Sequence, residues 1–274
     1  MDADDRGRRF HALHQSGTLI LPNAWDAASA ALIAACGAPA VATTSSGISW
    51  AYGVPDGESL RRDEMVAAVA RIVRAVDVPV SADIEAGYGA TPADVAATVD
   101  AVLDAGVSGV NLEDRDRSSA ALLWPADVQA ARLAAARAAA DRRGAPFVIN
   151  ARTDVYLAGV GAVADREELT LERARHYHSA GADCLFVPGL LDPAALARLI
   201  PRSPLPVSVM YWPGGGVTIA ELRAVGVRRI SVGQAIASAA YHLVREAATQ
   251  LLAGDDAALL PAISFAEMQR LLSR

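Results

Sequence analysis

The 274 residues carry 31 acids against 25 basic side chains, a net charge of −6, and 53% of them are hydrophobic. That balance argues against broad nucleic-acid binding, which needs a basic face, and no apolar run is long enough to span a bilayer. The chain contains no lysine, which removes Schiff-base aldolase chemistry, Walker-type phosphate loops and internal-aldimine pyridoxal chemistry.

A chain of this length buries roughly 70–75% of its extended surface, so one large core suffices. No linker, low-complexity tract or charge block divides it, and residues 1–274 read as a single domain with 253–274 as a C-terminal helical extension. The charged start, residues 1–6, leads into no apolar signal core and predicts a cytoplasmic protein. Cys36 and Cys184 sit in apolar surroundings, far apart in sequence, and read as buried free thiols.

In chain order, residues 10–17 form a helical lead-in and residues 19–23 a first strand. A helix over 25–36 ends at Gly37. A second strand, 40–44, runs into Ser45-Ser46-Gly47 and a loop through Asp56. A helix over 62–76 keeps Met65, Val69, Ile72, Val73 and Val76 on one stripe. The unit then repeats, with strands at 78–83, 109–113, 147–152, 184–187, 207–210 and 229–232. The helices between and after them fall near 91–105, 125–142, 170–181, 193–199, 219–224 and 235–252. A last amphipathic helix spans 265–272. Short strands rich in Val and Ile read as buried on both faces, hence parallel. About eight β-then-α units in this length predict a (β/α)8 TIM barrel. A doubly wound open sheet is the structural alternative.

In such a barrel chemistry sits at the C-terminal ends of the strands. The third strand ends in Asp83-Ile84-Glu85-Ala86-Gly87-Tyr88-Gly89. Residues two apart share a strand face, so Asp83 and Glu85 are expected to point the same way. Two carboxylates about 5 Å apart repel by roughly 3 kcal/mol at an effective dielectric near 20. A proton, an arginine or a metal ion must compensate. Other strand ends offer Asn23 and Asp26, Glu113 and Asp114, Asn150, Arg152 and Asp154, Tyr211, and Gln234. Oxygen donors from Asp83, Glu85 and Glu113, with no nearby Cys or His, make the ligand set of a hard cation, Mg2+ or Mn2+, bound partly through water. Arg152 is the natural clamp for a substrate carboxylate, and the Ser46-Gly47 turn can offer N–H groups to an oxyanion.

Each feature has a plainer reading. The acid pair could be a solvated strand end, Arg152 a structural bridge to Asp154 or Glu113, and Ser45-Ser46-Gly47 an ordinary turn. His11, His14, His176, His178 and His242 read as surface residues. None falls at a strand's C-terminal end, so a Ser-His-Asp triad is unsupported.

Taken together, Leu21-Pro22-Asn23-Ala24-Trp25-Asp26, Ser45-Ser46-Gly47, Gly53-Val54-Pro55-Asp56, the Asp83–Gly89 stretch, Asn111-Leu112-Glu113-Asp114 and Asn150-Ala151-Arg152-Thr153-Asp154 have the order and spacing of one superfamily. Over about residues 10–250 the chain resembles the isocitrate lyase / phosphoenolpyruvate mutase superfamily. The resemblance implies a barrel whose eighth helix is exchanged with a neighbouring subunit, in dimers or tetramers. It implies Mg2+ held by Asp83, Glu85 and Glu113, with Asp56 as an outer acid near the metal or the reacting group. It implies Ser46 and Gly47 as carboxylate and oxyanion cradle, Arg152 as substrate clamp, and enolate chemistry on a 2-oxo or 2-hydroxy acid. Asn150, Tyr211 and Gln234 complete the expected substrate-binding set, with Asp56, Arg152 and Ser46 as the catalytic one.

The departures lie in the loops. The isocitrate and methylisocitrate lyases carry a Lys-Lys-Cys-Gly-His loop after the fourth strand, and residues 114–124 here contain no cysteine, lysine or histidine. The Lys-Thr-Asn element of the mutase and the phosphonopyruvate hydrolase is also absent. The oxaloacetate decarboxylases place a histidine where this chain has Gln234. The expected activity is therefore Mg2+-dependent C–C cleavage, with isocitrate and methylisocitrate themselves disfavoured. The alternatives are P–C bond chemistry on phosphonopyruvate and a non-catalytic 2-oxo acid binder.

Overall fold

The computed structural model describes residues 3–144 and 146–273. All strands are parallel and form one sheet, ordered β1-β9-β8-β7-β6-β5-β4-β3-β2. The strands are β1 Leu19–Leu21, β2 Asn23–Ala24, β3 Val41–Thr43, β4 Val80–Asp83, β5 Gly109–Glu113, β6 Val148–Arg152, β7 Cys184–Phe186, β8 Val207–Met210 and β9 Arg229–Ser231. The first two are one expected strand broken at Pro22. Proline has no N–H to give a ladder, but its carbonyl still accepts from Ala42 N at 3.0 Å. Since β1 pairs with β9 and β2 with β3, the ring all but closes. Asn23 bridges the seam, donating to Thr43 O at 2.8 Å and accepting from Val232 N at 2.9 Å. The result is a (β/α)8 barrel, as expected.

The helices are α1 Ala3–Leu13, α2 Ala27–Ala35, α3 Ser45–Ala51, α4 Arg62–Arg74, α5 Pro92–Asp104, α6 Ala126–Arg142, α7 Arg166–Ser179, α8 Pro193–Leu199, α9 Ile219–Ala224, α10 Ala235–Leu252 and α11 Phe265–Leu272. Thr91 and Thr218 cap α5 and α9 with reciprocal side-chain bonds to Asp94 and Glu221, satisfying amides that the first turn leaves open. Strand alternation sorts the core. Val110, Leu112, Ile149, Ala151, Val209 and Ile230 face the helices in the main apolar cluster. Leu19, Leu21, Ala42 and Val148 form a smaller inner cluster around Phe10 of α1, which plugs the barrel floor. Gly109 is required there, because a Cβ would lie 2.6 Å from Val148 O and 2.9 Å from the Phe10 ring.

Three expectations change. The lead-in helix begins at Ala3 and ends at Leu13. His14 is buried rather than superficial, its ring edge-on to Phe10 at 4.7 Å and its Nδ1 against Phe10 O at 2.8 Å. Cys36 is exposed, because it follows the last turn of α2 and the chain leaves the sheet there, whereas Cys184 is buried. Among the described residues no helix is long and apolar enough to cross a membrane.

Candidate active site

At the strand C-termini a cavity of about 170 Å3 opens between Ser45, Ser46, Asp56, Asp83, Arg152 and Gln234, with Asn111 beneath and Phe186, Met210 and Ser231 along the far wall. Register explains the central pair. Glu113 and Arg152 are directly opposite on β5 and β6, and Arg152 Nη1 lies 2.8 Å from Glu113 Oε2. Arg152 Nε and Nη2 donate to the two oxygens of Asp154 at 2.7 and 3.0 Å. A guanidinium has five N–H donors, so these bonds leave donor capacity for a ligand. Both plain bridges foreseen for Arg152 are therefore formed, and the side chain still faces the cavity.

Asp83 ends β4 and points inward. Among the described residues it accepts two long backbone bonds, from Ser45 N and Glu85 N, both at 3.3 Å. Burial, foremost, pushes its carboxyl up; Arg152 opposes the shift and Asp56 adds to it. The Ser46 hydroxyl donates to Asp56 Oδ2 at 2.8 Å across the entrance. Ser45-Ser46-Gly47 is not a simple turn: it opens α3, whose first-turn amides lack intrahelical acceptors. Gly47 is buried and packs where a Cβ would lie 2.7 Å from that of Trp25.

Glu85 reaches the site by a different route from the one alternation suggests. The strand stops at Asp83, and Glu85 adopts φ +49°. Glu58 and Tyr88 are also left-handed, at φ +59° and +57°. Non-glycine residues rarely hold that conformation. Here the three brace one another: Glu58 N donates to Glu85 Oε2 at 2.6 Å, Tyr88 N to Glu58 Oε1 at 2.8 Å, and Tyr88 OH to Glu85 Oε1 at 3.2 Å. Glu85 and Glu113 are buried and do not line the cavity. Burial, then Asp56, Asp83 and Glu113, push the Glu85 carboxyl up to about 8. Glu113 is also pushed up, again foremost by burial.

Asn150 lies one layer deeper, donating to Asn111 Oδ1 at 2.7 Å and accepting from Ser208 at 3.0 Å. Tyr211 follows β8 and packs on the apolar cluster instead of lining the cavity. Asp114 is buried as an anchor, accepting from Tyr177 OH at 2.7 Å, Arg173 at 3.0 Å and Asp154 N at 2.9 Å. The residue that sequence reasoning missed is Arg117. It extends from the loop after β5 to within 3.1 Å of Glu113 and 3.5 Å of Glu85. The only signal for it was a basic residue four positions after Glu113 in a loop of unknown path.

The donors suit a hard cation. They are all oxygen, and neither cysteine nor histidine lines the cavity. Asp83 lacks a close cationic partner, and the surrounding acids are driven towards protonation, a stress that a divalent ion would relieve. Among the described residues no three His, Cys, Asp or Glu side chains are arranged to hold an ion by themselves. Of the three acids expected as metal ligands, Asp83 lines the cavity, whereas Glu85 and Glu113 are not among its lining residues.

Fold and mouth together define a (β/α)8-barrel protein with its polar groups gathered at the strand C-termini, the arrangement that barrel enzymes use. The phosphoenolpyruvate phosphomutase family model matches residues 10–252, and the chain belongs to that family, within the isocitrate lyase/PEP mutase superfamily of lyases and mutases. It is 38% identical over 262 residues to an uncharacterised protein of Mycobacterium tuberculosis, across 95% of this chain and 94% of the other. The crystal structure of a presumed phosphonomutase from Burkholderia cenocepacia is 44% identical, with TM-score 0.85, covering 90% of this chain and 99% of that one. The 2-methylisocitrate lyase of Salmonella typhimurium is 28% identical over 270 residues, across 91% of this chain and 88% of its own.

Proposed function

We propose that the chain is a Mg2+-dependent lyase that cleaves a C–C bond of a 2-oxo or 2-hydroxy carboxylic acid through an enolate. The observation that carries this reading is the meeting of Asp83, Asp56 with Ser46, and Arg152 in one small cavity with acids in excess. The volume suits a compact carboxylate, well below the roughly 300–1,000 Å3 of drug-sized pockets.

Arg152 holds the substrate carboxylate with the donors it has left, and the Ser46 amide orients the same group. Bound Mg2+ supplies Lewis acidity at the 2-oxo or 2-hydroxy oxygen, where charge develops. Asp56, through the Ser46 hydroxyl, receives the proton of a 2-hydroxyl group. In such a 2-hydroxy acid the O–H electron pair closes the new C2=O bond as the neighbouring C–C bond breaks, and the electron pair of that bond passes to the carbonyl of the departing fragment, which leaves as an enolate. No cysteine, histidine or lysine lines the cavity, so that enolate takes its proton from water or back from Asp56. This separates the chain from isocitrate and 2-methylisocitrate cleavage, for which the 114–124 loop lacks the expected acid.

Helix α10 buries only Ala237, and it leaves Leu243, Val244, Leu251 and Leu252 exposed. A face this apolar supports homo-oligomers that exchange C-terminal helices. A second reading, P–C bond chemistry on phosphonopyruvate, is favoured by the family model and by the 44% identical relative.

Purified protein with Mg2+ is tested against a panel of 2-oxo acids, 2-hydroxy acids and phosphonopyruvate. Turnover of an oxo or hydroxy acid, lost in Asp83→Ala and weakened in binding by Arg152→Lys, is the expected result. Release of phosphate or phosphoenolpyruvate from phosphonopyruvate alone selects the second reading. Tight binding without turnover of any compound makes the chain a binder and ends the enzymatic reading.

A further inference from the structure

The segment between β5 and α6 is a small flap. Its base is closed by an antiparallel bridge between Arg115 and Leu123, with Asp116 N donating to Leu122 O at 2.9 Å and Trp124 N to Asp114 O at 2.9 Å. The Asp116 carboxylate turns the chain by accepting from Ser118 N and Oγ at 2.9 and 2.6 Å. Beyond the turn Ser118, Ala120 and Ala121 are exposed. Arg117 supplies the flap's ion pairs to the barrel mouth, its guanidinium lying 3.1 Å from Glu113 and 3.5 Å from Glu85. Gly57 leaves the room: a Cβ there would stand 3.0 Å from Arg117 Nε.

The oxygens of the two glutamates already face partners, although Glu113 Oε1 finds no hydrogen bond among the described residues. Glu85 Oε2 takes Glu58 N and Arg117, and Oε1 takes Tyr88 OH. Glu113 Oε1 faces Arg117 and Oε2 faces Arg152. Glu85 and Glu113 are each 2% exposed, whereas the Arg117 side chain is 39% exposed. Arg117 is therefore the partner that can leave for solvent without unfolding the barrel. A divalent ion and a guanidinium repel, and both draw on the same pair of carboxylates.

We propose that Arg117 is a built-in counter-ion for Glu85 and Glu113, one that a divalent cation must displace, so that loading the cation and releasing the 114–124 flap are one event. This rests on the reading of Asp83, Glu85 and Glu113 as the cation-binding acids. Arg117 then sets the cation affinity as a positioning residue.

The test uses Mn2+ alone, with no substrate, on the full chain. Mn2+ binding is measured by calorimetry for the wild type, Arg117→Gln, Arg117→Lys and Asp83→Asn. Trypsin cleavage after Arg115 and Arg117 is followed by mass spectrometry with and without Mn2+. The proposal expects Arg117→Gln to bind Mn2+ at least about fivefold more tightly, with Arg117→Lys between it and the wild type. It also expects Mn2+ to raise flap cleavage several-fold in the wild type and not in Asp83→Asn. The second readout matters because removing a positive charge tightens cation binding even without displacement. Unchanged or weaker Mn2+ binding in Arg117→Gln, or protection of the flap by Mn2+, overturns the proposal. If Asp83→Asn still loses Mn2+ in that case, the cation reading stands and only the role of Arg117 falls. If neither the wild type nor Arg117→Gln binds Mn2+, both fall together.

Discussion

The barrel holds an arginine at each end, half-buried Arg152 at the mouth and fully buried Arg229 at the floor, and the two meet opposite surroundings. At the mouth Arg152 lies between Glu113 and Asp154; burial disfavours its charge, but the two acids more than offset that and raise its pKa. At the floor Arg229 meets neutral groups, its Nη2 donating to Asn111 Oδ1 at 3.0 Å and Ser81 Oγ at 3.3 Å. Its Nε and Nη1 find no hydrogen-bond partner among the described residues. Burial pulls the Arg229 guanidinium down to about 10. The same cause takes His14 down to about 4 and the Cys184 thiol up to about 12. Burial thus disfavours charge throughout the floor: His14 and Cys184 are held neutral, and Arg229 stays a cation without a carboxylate partner. The mouth instead keeps acids whose carboxyls are pushed up, the kind of perturbation that gathers at functional sites.

The strongest way to break this contrast is to remove the mouth arginine. Arg152→Met leaves Asp154 without its cation and Glu113 with only the half-exposed Arg117. Taking one partner from a buried ion pair costs about 3–5 kcal/mol. Urea denaturation should record a loss of that size, together with loss of any turnover found in the substrate panel. A loss below about 1 kcal/mol would show that the mouth charges are as independent of one another as surface ones.

A second effect belongs to the floor and has a definite sign. The native state resists protonation of His14 until about pH 4, whereas an unfolded histidine takes its proton near 6.5. The unfolded chain therefore binds the extra proton first, and stability falls as pH drops from 6.5 to about 4, by about 3 kcal/mol at 1.36 kcal/mol per unit. The raised carboxyls of Asp83, Glu85 and Asp114 act in the opposite sense, so the comparison with His14→Gln isolates the histidine. Glutamine can still donate to Phe10 O. The variant should lose about 3 kcal/mol less than the wild type over that interval, and parallel profiles would mean that His14 is protonated in the fold.

These two regions were not equally legible in the sequence. The barrel and the mouth acids follow from local pattern: β-branched runs give the strands, and chemistry-bearing residues cluster where each run ends. Asp83, Glu113 and Arg152 needed nothing else to be placed on one rim. Glu85 was assigned to the same rim by alternation, yet it arrives through a left-handed turn braced by Glu58 and Tyr88, contacts 27 and 30 positions apart in sequence. Arg117 was hidden because loop paths are set by tertiary contacts, not by period. His14 looked superficial because only the closing of α1 under the barrel buries it, and Ser45 to Gly47 hid a helix start behind turn-forming residues.

The smallest expected effect is the most discriminating. Arg229→Met removes a buried cation that has no carboxylate partner and eliminates two unpartnered donors. Asn111 Oδ1 keeps its bond from Asn150 at 2.7 Å, and methionine adapts to an irregular cavity. What is lost is the bond to Ser81 and the cation's position 5.9 Å from the Phe10 ring, the latter worth about 0.5–1 kcal/mol. Replacing buried charge by an apolar side chain is often neutral or stabilising, so the net change should stay within about 1 kcal/mol of the wild type, with Mn2+ binding at the mouth unaltered. A cost matching that of Arg152→Met would mean that Arg229 meets a negative charge at the floor, and the distinction between a floor without carboxylate partners and a charged mouth would no longer hold.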